Sequence, residues 1–249
     1  MKRRLISLSL VILILFTSGA TFADIYLENG AFVIDNNIVG KASVFKDGKT
    51  LWYNISKEIE YLPIQLGKGD YKVSLFEHKE GNQYYIRGNK SFVIEENMKF
   101  LGSTNPVYWD HEMAAIKKAK DLTKNAKNDG EKIKAVYDYV TKNIKYDWDI
   151  VDKLPPRYIP NIENTYNSNK GICYDYSALF AGMLRSVGVE TKLVKGYRDG
   201  INEYHAWNEV LVNGEWKIVD TTYSAAYIQA KKKVSVYQNP EFYKKSSEF

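Results

Sequence analysis

The dipeptide Asn213-Gly214 stands between two strand-like runs, Glu203-Tyr204-His205-Ala206-Trp207-Asn208-Glu209-Val210-Leu211-Val212 and Glu215-Trp216-Lys217-Ile218-Val219-Asp220-Thr221-Thr222. Asn-Gly accepts the positive φ angles of a two-residue hairpin turn at little steric cost, so it fixes both the existence of the hairpin and its register. Val212 then faces Glu215, and counting outward brings Trp207 opposite Asp220 and His205 opposite Thr222. Side chains alternate faces with period two, so His205, Trp207, Asp220 and Thr222 are expected on one side. Diagonal neighbours lie roughly 7–8 Å apart at the backbone, within reach of an imidazole and a carboxylate. The register alone therefore predicts a His205–Asp220 pair.

A second constraint comes from the single cysteine, Cys173, which leaves no possibility of an internal disulfide. The segment Gly171-Ile172-Cys173-Tyr174-Asp175-Tyr176-Ser177-Ala178-Leu179-Phe180 leads from a loop into a helix with apolar positions at Ala178, Leu179, Ala181 and Leu184, closed by Gly188. Cys173 is thus placed near a helix N-terminus, where free amides and the macrodipole favour a thiolate and can receive a developing oxyanion. A cysteine that served only as a small buried hydrophobe would more often sit in the body of the helix. A thiol facing a histidine whose tautomer is set by a carboxylate is the nucleophile–base–orienter arrangement, here Cys173, His205 and Asp220. The bland alternative is a stabilising cross-strand polar pair with the cysteine elsewhere.

Residues 1–23 are expected to be a secretory signal peptide. Lys2, Arg3 and Arg4 precede an apolar run from Leu5 to Phe16, and small residues follow up to Ala23. That run is short for a bilayer-spanning helix of roughly 20 residues, so the membrane is involved only if the segment stays uncleaved. Setting its three basic residues aside lowers the formal charge from +5 to +2, leaving no nucleic-acid footprint. The 45% hydrophobic and 26% charged residues are those of a globular chain.

Two domains are expected after the signal. Residues 24–101 carry short alternating runs such as Tyr71-Lys72-Val73-Ser74-Leu75-Phe76, with turn signals at Asp47-Gly48, Lys68-Gly69-Asp70, Glu80-Gly81-Asn82 and Gly88-Asn89. These predict a small antiparallel β-sandwich, with an immunoglobulin-like arrangement as one option, and His78 as a solvated strand residue. From Asp110 the chain reads as helical, with His111 in the first turn and on the surface. Ile133, Val136, Tyr137, Val140 and Ile144 recur at helical spacing behind a cap at Asp129. Pro155, Pro156, Pro160 and the Asn-rich stretch 161–169 read as one long irregular loop shaping a cleft. The tail after Tyr223, with Lys231-Lys232-Lys233, is left open between packing and mobility.

The segment around Cys173, the following Leu184-Arg185-Ser186-Val187-Gly188-Val189, the strand end Val194-Lys195-Gly196-Tyr197, and the His205-Ala206-Trp207-Asn208-Glu209-Val210 and Trp216-Lys217-Ile218-Val219-Asp220-Thr221-Thr222 runs together resemble the core of the transglutaminase-like superfamily. The resemblance covers roughly residues 110–225. It implies an α+β, papain-like core domain within residues 102–249, with Cys173 as nucleophile, His205 as general base and acid, and Asp220 as orienter. Tyr146 matches a position that often lies near the cysteine in such proteins, where it could donate to the oxyanion. A buried tyrosine needing a hydrogen-bond partner explains it equally well. Trp207 is read as a packing residue.

The resulting expectation is a secreted bacterial acyl transferase or amide hydrolase, of transglutaminase, deamidase or peptidase type, working through a thioester on protein or cell-wall peptide amides. No phosphate loop, zinc spacing or calcium loop is visible in the sequence, so no cofactor and no metal are implied. The rival reading is a wall- or partner-binding module on a transglutaminase-like scaffold, since fold does not guarantee activity. A second enzyme reading, a peptidoglycan-cleaving peptidase of another papain-like family, would commonly use a second histidine where this chain has Asp220.

Overall fold

Alternation of apolar and polar residues in the first third of the chain produces strands with one buried face. A computed structural model describes residues 24–249 apart from 29, 57, 97–99, 156 and 157, so the signal peptide expected at 1–23 lies outside the described residues. Strands β1 (Asp24–Glu28), β2 (Ala31–Asp35), β3 (Gly40–Lys46), β4 (Lys49–Ile55), β5 (Ile59–Pro63), β6 (Gly69–His78) and β7 (Tyr84–Ile94) form two antiparallel sheets, ordered β1-β2-β5 and β4-β3-β6-β7. Tyr71, Val73 and Leu75 point inward with Phe32, Ile34, Ala42, Val44 and Leu62, giving the β-sandwich its own core.

Asp47 and Gly48 both have positive φ and turn β3 into β4 in two residues. Gly88-Asn89 is not a turn. It lies inside β7, beside the register shift between Leu75 and Phe76, where an extra residue is absorbed as a bulge.

The remainder comprises α1 (Ala114–Thr123), α2 (Asp129–Asn143), β8 (Lys145–Tyr146), α3 (Ile162–Ser168), β9 (Lys170–Gly171), α4 (Cys173–Ser186), β10 (Thr191–Arg198), β11 (Ile201–Val212), β12 (Glu215–Val219), α5 (Thr221–Gln229) and β13 (Tyr243–Glu248). An antiparallel sheet of order β12-β11-β10-β13 carries α4 against β10 and β11, with α1, α2, α3 and α5 packed around α4. Leu179, Phe180, Met183 and Leu184 of α4 meet the predicted α2 stripe of Ile133, Val136, Tyr137 and Val140 in one core. Each such side chain contributes roughly 1.5–3 kcal/mol by burial. This is the mixed α+β arrangement the sequence predicts.

Three local expectations are corrected. Helix α1 starts at Ala114 rather than Asp110, because Asp110 Oδ1 folds back onto the amides of Glu112 and Met113. His111 therefore precedes the helix, although it is exposed as expected. Asn128, not Asp129, caps α2, with its Oδ1 3.0 Å from the Glu131 amide. The stretch 161–169 is not an irregular loop, since its asparagines are helix punctuation: Asn161 Oδ1 caps α3 at the Asn164 amide, and Asn169 ends it in the left-handed region at φ 53°.

The C-terminal tail packs. Strand β13 pairs with β10 at the sheet edge. The segment between the two cores is tied to both. Asn105 exchanges bonds with Tyr61 and donates to Glu60 at 2.7 Å, while the buried Arg185 guanidinium donates to the carbonyls of Gly102, Thr191 and Phe249. Among the described residues no helix is long and apolar enough to cross a membrane.

Candidate active site

Cys173 is the first residue of α4 and is partly exposed. The turn that presents it is held by Asp175, whose Oδ2 accepts from the Ile172 amide at 2.9 Å and whose Oδ1 accepts from the Tyr158 hydroxyl at 2.6 Å. The first bond is the carboxylate half of a capping box. Burial pushes the Asp175 carboxyl up, against the two hydrogen bonds. Gly171 is required just before: a Cβ there would lie 2.6 Å from Asp175 Cβ. One turn on, Ser177 Oγ donates to the Cys173 carbonyl at 2.8 Å, and Asn208 of β11 reaches from the sheet to the Ser177 carbonyl at 3.0 Å. Helix and sheet are thus fixed relative to each other beside the thiol.

His205 lies on β11 opposite Gly196 of β10 and is 5% exposed. Its Nε2 is 2.8 Å from Asp220 Oδ2. The Cys173 side chain lies close enough to the imidazole to raise its pKa. With Nε2 engaged by the carboxylate, Nδ1 is the nitrogen left for the thiol. Burial alone would lower the imidazole pKa, but the hydrogen bonds and charges of Asp220 and Cys173 outweigh it and raise it to about 10. The structure therefore brings Cys173, His205 and Asp220 together.

Asp220 is fully buried, and the route to it differs in one respect from the hairpin count. Asn213 and Gly214 have positive φ, and pairing follows the predicted register from Val212↔Glu215 to Asn208↔Val219. There β12 stops. Asp220 becomes the N-cap of α5, its Oδ1 accepting from the Tyr223 amide at 3.0 Å, so Thr221 and Thr222 enter the helix instead of continuing the strand. Asp-Thr-Thr ahead of Ser-Ala-Ala is itself a capping signal, and it overrides strand propensity. One carboxyl oxygen starts a helix and the other meets the imidazole.

Tyr146 stands near the cysteine. Strand β8 pairs in parallel with β9, bringing Tyr146 beside Gly171. Burial first, and then the charge of Cys173, push its phenol up to about 12, so it remains a donor at neutral pH. Trp148, 77% exposed, packs 4.5 Å from the Tyr146 ring. Trp207 is buried and its ring lies 6.3 Å from the His205 ring.

Three neighbours escaped sequence reasoning. Lys195 Nζ sits 4.0 Å from the Tyr174 ring centroid, with its pKa lowered by desolvation against the pull of Cys173. Tyr243 Oη is 3.1 Å from Asp220 Oδ2, and Arg198 Nε is 4.0 Å from the same oxygen. Arg198 and Lys195 lie on β10, whose strand pattern was legible but not its contacts. Tyr243 comes from a tail with no local signal for edge pairing. Among the described residues no cluster of three or more His, Cys, Asp or Glu side chains could hold a metal ion.

Comparison with known proteins gives similarity over this region. Residues 116–221 match the Transglutaminase-like superfamily. The kyphoscoliosis peptidases of Mus musculus and Homo sapiens are 30% identical over 135 residues, which is 49% of this chain. The chain spans about a fifth of the length of these curated relatives. Among solved structures, a candidate cysteine protease from Cytophaga hutchinsonii aligns over 74% of this chain and 72% of its own at 15% identity and a TM-score of 0.43. The periplasmic domain of TgpA from Pseudomonas aeruginosa aligns over 63% and 70% at 14% identity and a TM-score of 0.39.

Proposed function

We propose, from the match of residues 116–221 to the Transglutaminase-like superfamily and from the geometry around Cys173, that the protein is a cysteine-dependent enzyme that opens amide bonds in proteins or cell-wall peptides through a thioester on Cys173. The observation that carries this reading is the buried His205–Asp220 pair at 2.8 Å, which leaves the other imidazole nitrogen free, within electrostatic reach of a thiol at a helix N-terminus. A scaffold has no physical need for all three groups in that order.

With its imidazole pKa raised to about 10, His205 already holds the thiol proton on Nδ1 before attack, and Cys173 Sγ attacks the carbonyl carbon as the thiolate of that ion pair. Asp220 holds the imidazolium through Nε2. The oxyanion forms beside the first amides of α4, with the Tyr146 hydroxyl as a further donor. The imidazolium then protonates the amide nitrogen, the amine leaves, and the acyl group stays on sulfur. Water attacks next, gives its proton to His205 Nδ1, and releases the acid and the thiol. An amine in place of water would give transfer. The peptidase name of the 30% identical relatives favours the hydrolytic branch.

The basic-then-apolar segment at 2–16 supports action outside the membrane, where wall peptides and surface proteins are the accessible amides. The test is to incubate the mature chain with glutamine-containing peptides and wall fragments, with and without a primary amine, and weigh the products. Shortened peptides indicate peptidase action, ammonia alone deamidation, and amine incorporation crosslinking. Unchanged masses across the panel would favour the binding-module alternative.

A further inference from the structure

The carboxylate of Asp220 has its orientation fixed by more than the histidine. Its Oδ1 is taken by the Tyr223 amide, and its Oδ2 is shared between His205 Nε2 and the hydroxyl of Tyr243, at 2.8 and 3.1 Å. Burial first, and then the charge of Asp220, push the Tyr243 phenol up, so the hydroxyl keeps its proton. Arg198 decides where that proton points. Its Nε donates to Tyr243 Oη at 3.0 Å, occupying the oxygen as acceptor and leaving the hydroxyl hydrogen for Asp220.

Arg198 is itself held. Its Nη1 donates to the Asp199 carbonyl at 2.8 Å, and its guanidinium carbon lies 3.8 Å from the Tyr223 ring centroid. Behind the hydroxyl, the Tyr243 ring packs 5.1 Å from Trp207, which in turn lies alongside His205. Gly196 lets β13 approach this closely, because a Cβ there would meet the Lys244 carbonyl oxygen at 2.1 Å.

We propose that Tyr243, locked by Arg198, is a positioning residue for the orienting carboxylate, so that strand β13 completes the site from the far end of the chain. The inference rests on the Cys173–His205–Asp220 reading given above. Without the Tyr243 hydroxyl, Oδ2 is free to rotate away from the imidazole. It also carries more charge toward the imidazolium, which then holds its proton more tightly and returns it more slowly.

Tyr243→Phe tests this, since it keeps the ring against Trp207 and removes only the hydroxyl. On an amide substrate found as above, kcat should fall roughly ten- to a hundredfold, the value of a hydrogen bond to a charged group, with KM unchanged within about twofold. A substrate-free probe is the rate at which iodoacetamide alkylates Cys173 in the full mature chain, followed against pH. The imidazole-dependent limb of that profile should move upward in Tyr243→Phe and, with β13 pairing intact, in Arg198→Gln. A lower melting temperature with an unmoved limb and unchanged kcat would mean a merely structural tyrosine and overturn the inference. The two readings fail differently. If the wild-type thiol shows no imidazole-dependent limb, or Cys173→Ala still turns over substrate, the triad reading falls and takes this inference with it. If both behave as the triad requires and Tyr243→Phe matches wild type, only the positioning role is lost.

Discussion

His205 on β11 stands directly opposite Gly196 on β10, and the space that a side chain at Gly196 would fill is occupied by the Lys244 carbonyl and the Trp207 ring, 2.1 and 2.8 Å from the position of its Cβ. Gly196→Ala must therefore displace β13 or Trp207. The expected cost is that of overpacking, roughly 1–3 kcal/mol by denaturant titration, with activity falling alongside because Tyr243 and Trp207 both flank the histidine. An unchanged melting curve would show that β13 yields freely at this point.

Asp220→Asn separates the two tasks of that side chain. An asparagine still caps α5 at Tyr223, so the helix start is kept and the stability lost should be that of the imidazolium's buried counter-charge alone. At Nε2, however, an amide can present its NH2 and favour the wrong imidazole tautomer, and the serine-protease precedent for that exchange is a loss of about 10⁴ in kcat. Asp220→Ala should lose the cap as well, by about 1 kcal/mol. Turnover in Asp220→Asn equal to wild type would remove Asp220 from the mechanism.

The raised pKa of His205 has a sign in stability. Folding holds the imidazolium to about pH 10, whereas an unfolded histidine titrates near 6.5. The folded state thus binds the extra proton across that window. Its contribution is complete below about pH 6.5 and is lost as pH rises toward about 10. Melting temperature should fall more steeply with rising pH in wild type than in His205→Gln, and parallel curves would contradict the assignment.

Lys195 carries a partly desolvated charge within electrostatic reach of Cys173. Lys195→Met keeps an apolar stem against Tyr174 and removes the cation. Alkylation of Cys173 near pH 7 should slow roughly three- to tenfold, the scale of one charge in a partly solvated site. An equal rate would assign Lys195 to packing alone.

How much of this was written locally follows from the range of each signal. Asn213-Gly214 is self-contained, so the hairpin register was legible to Val219, and with it the meeting of His205 and Asp220. The helix behind Cys173 was legible too, because its apolar spacing and Gly188, at φ 83°, lie within sixteen residues of the thiol. The same local reasoning misjudged Asp220 to Thr222, where capping competes with strand extension, and Asn161 to Asn169, where asparagine served as helix punctuation rather than loop. Tyr243 was out of reach. Its bond to Asp220 depends on β13 pairing with β10 some 45 residues earlier, a choice fixed by the bare edge at Gly196 rather than by any pattern in the tail.

Covalent chemistry at the Cys173 sulfur tests the triad most directly. Protein lacking residues 1–23, mixed with an activated ester or good amide substrate and weighed intact, should gain the mass of the acyl group on Cys173. His205→Ala should suppress that gain by removing the base that activates the thiol. Cys173→Ala should abolish it without appreciable loss of thermal stability. The contrary result is no acyl adduct across a broad panel together with a Cys173→Ala variant destabilised by the roughly 1–3 kcal/mol of a disturbed core, and it would make the cysteine structural.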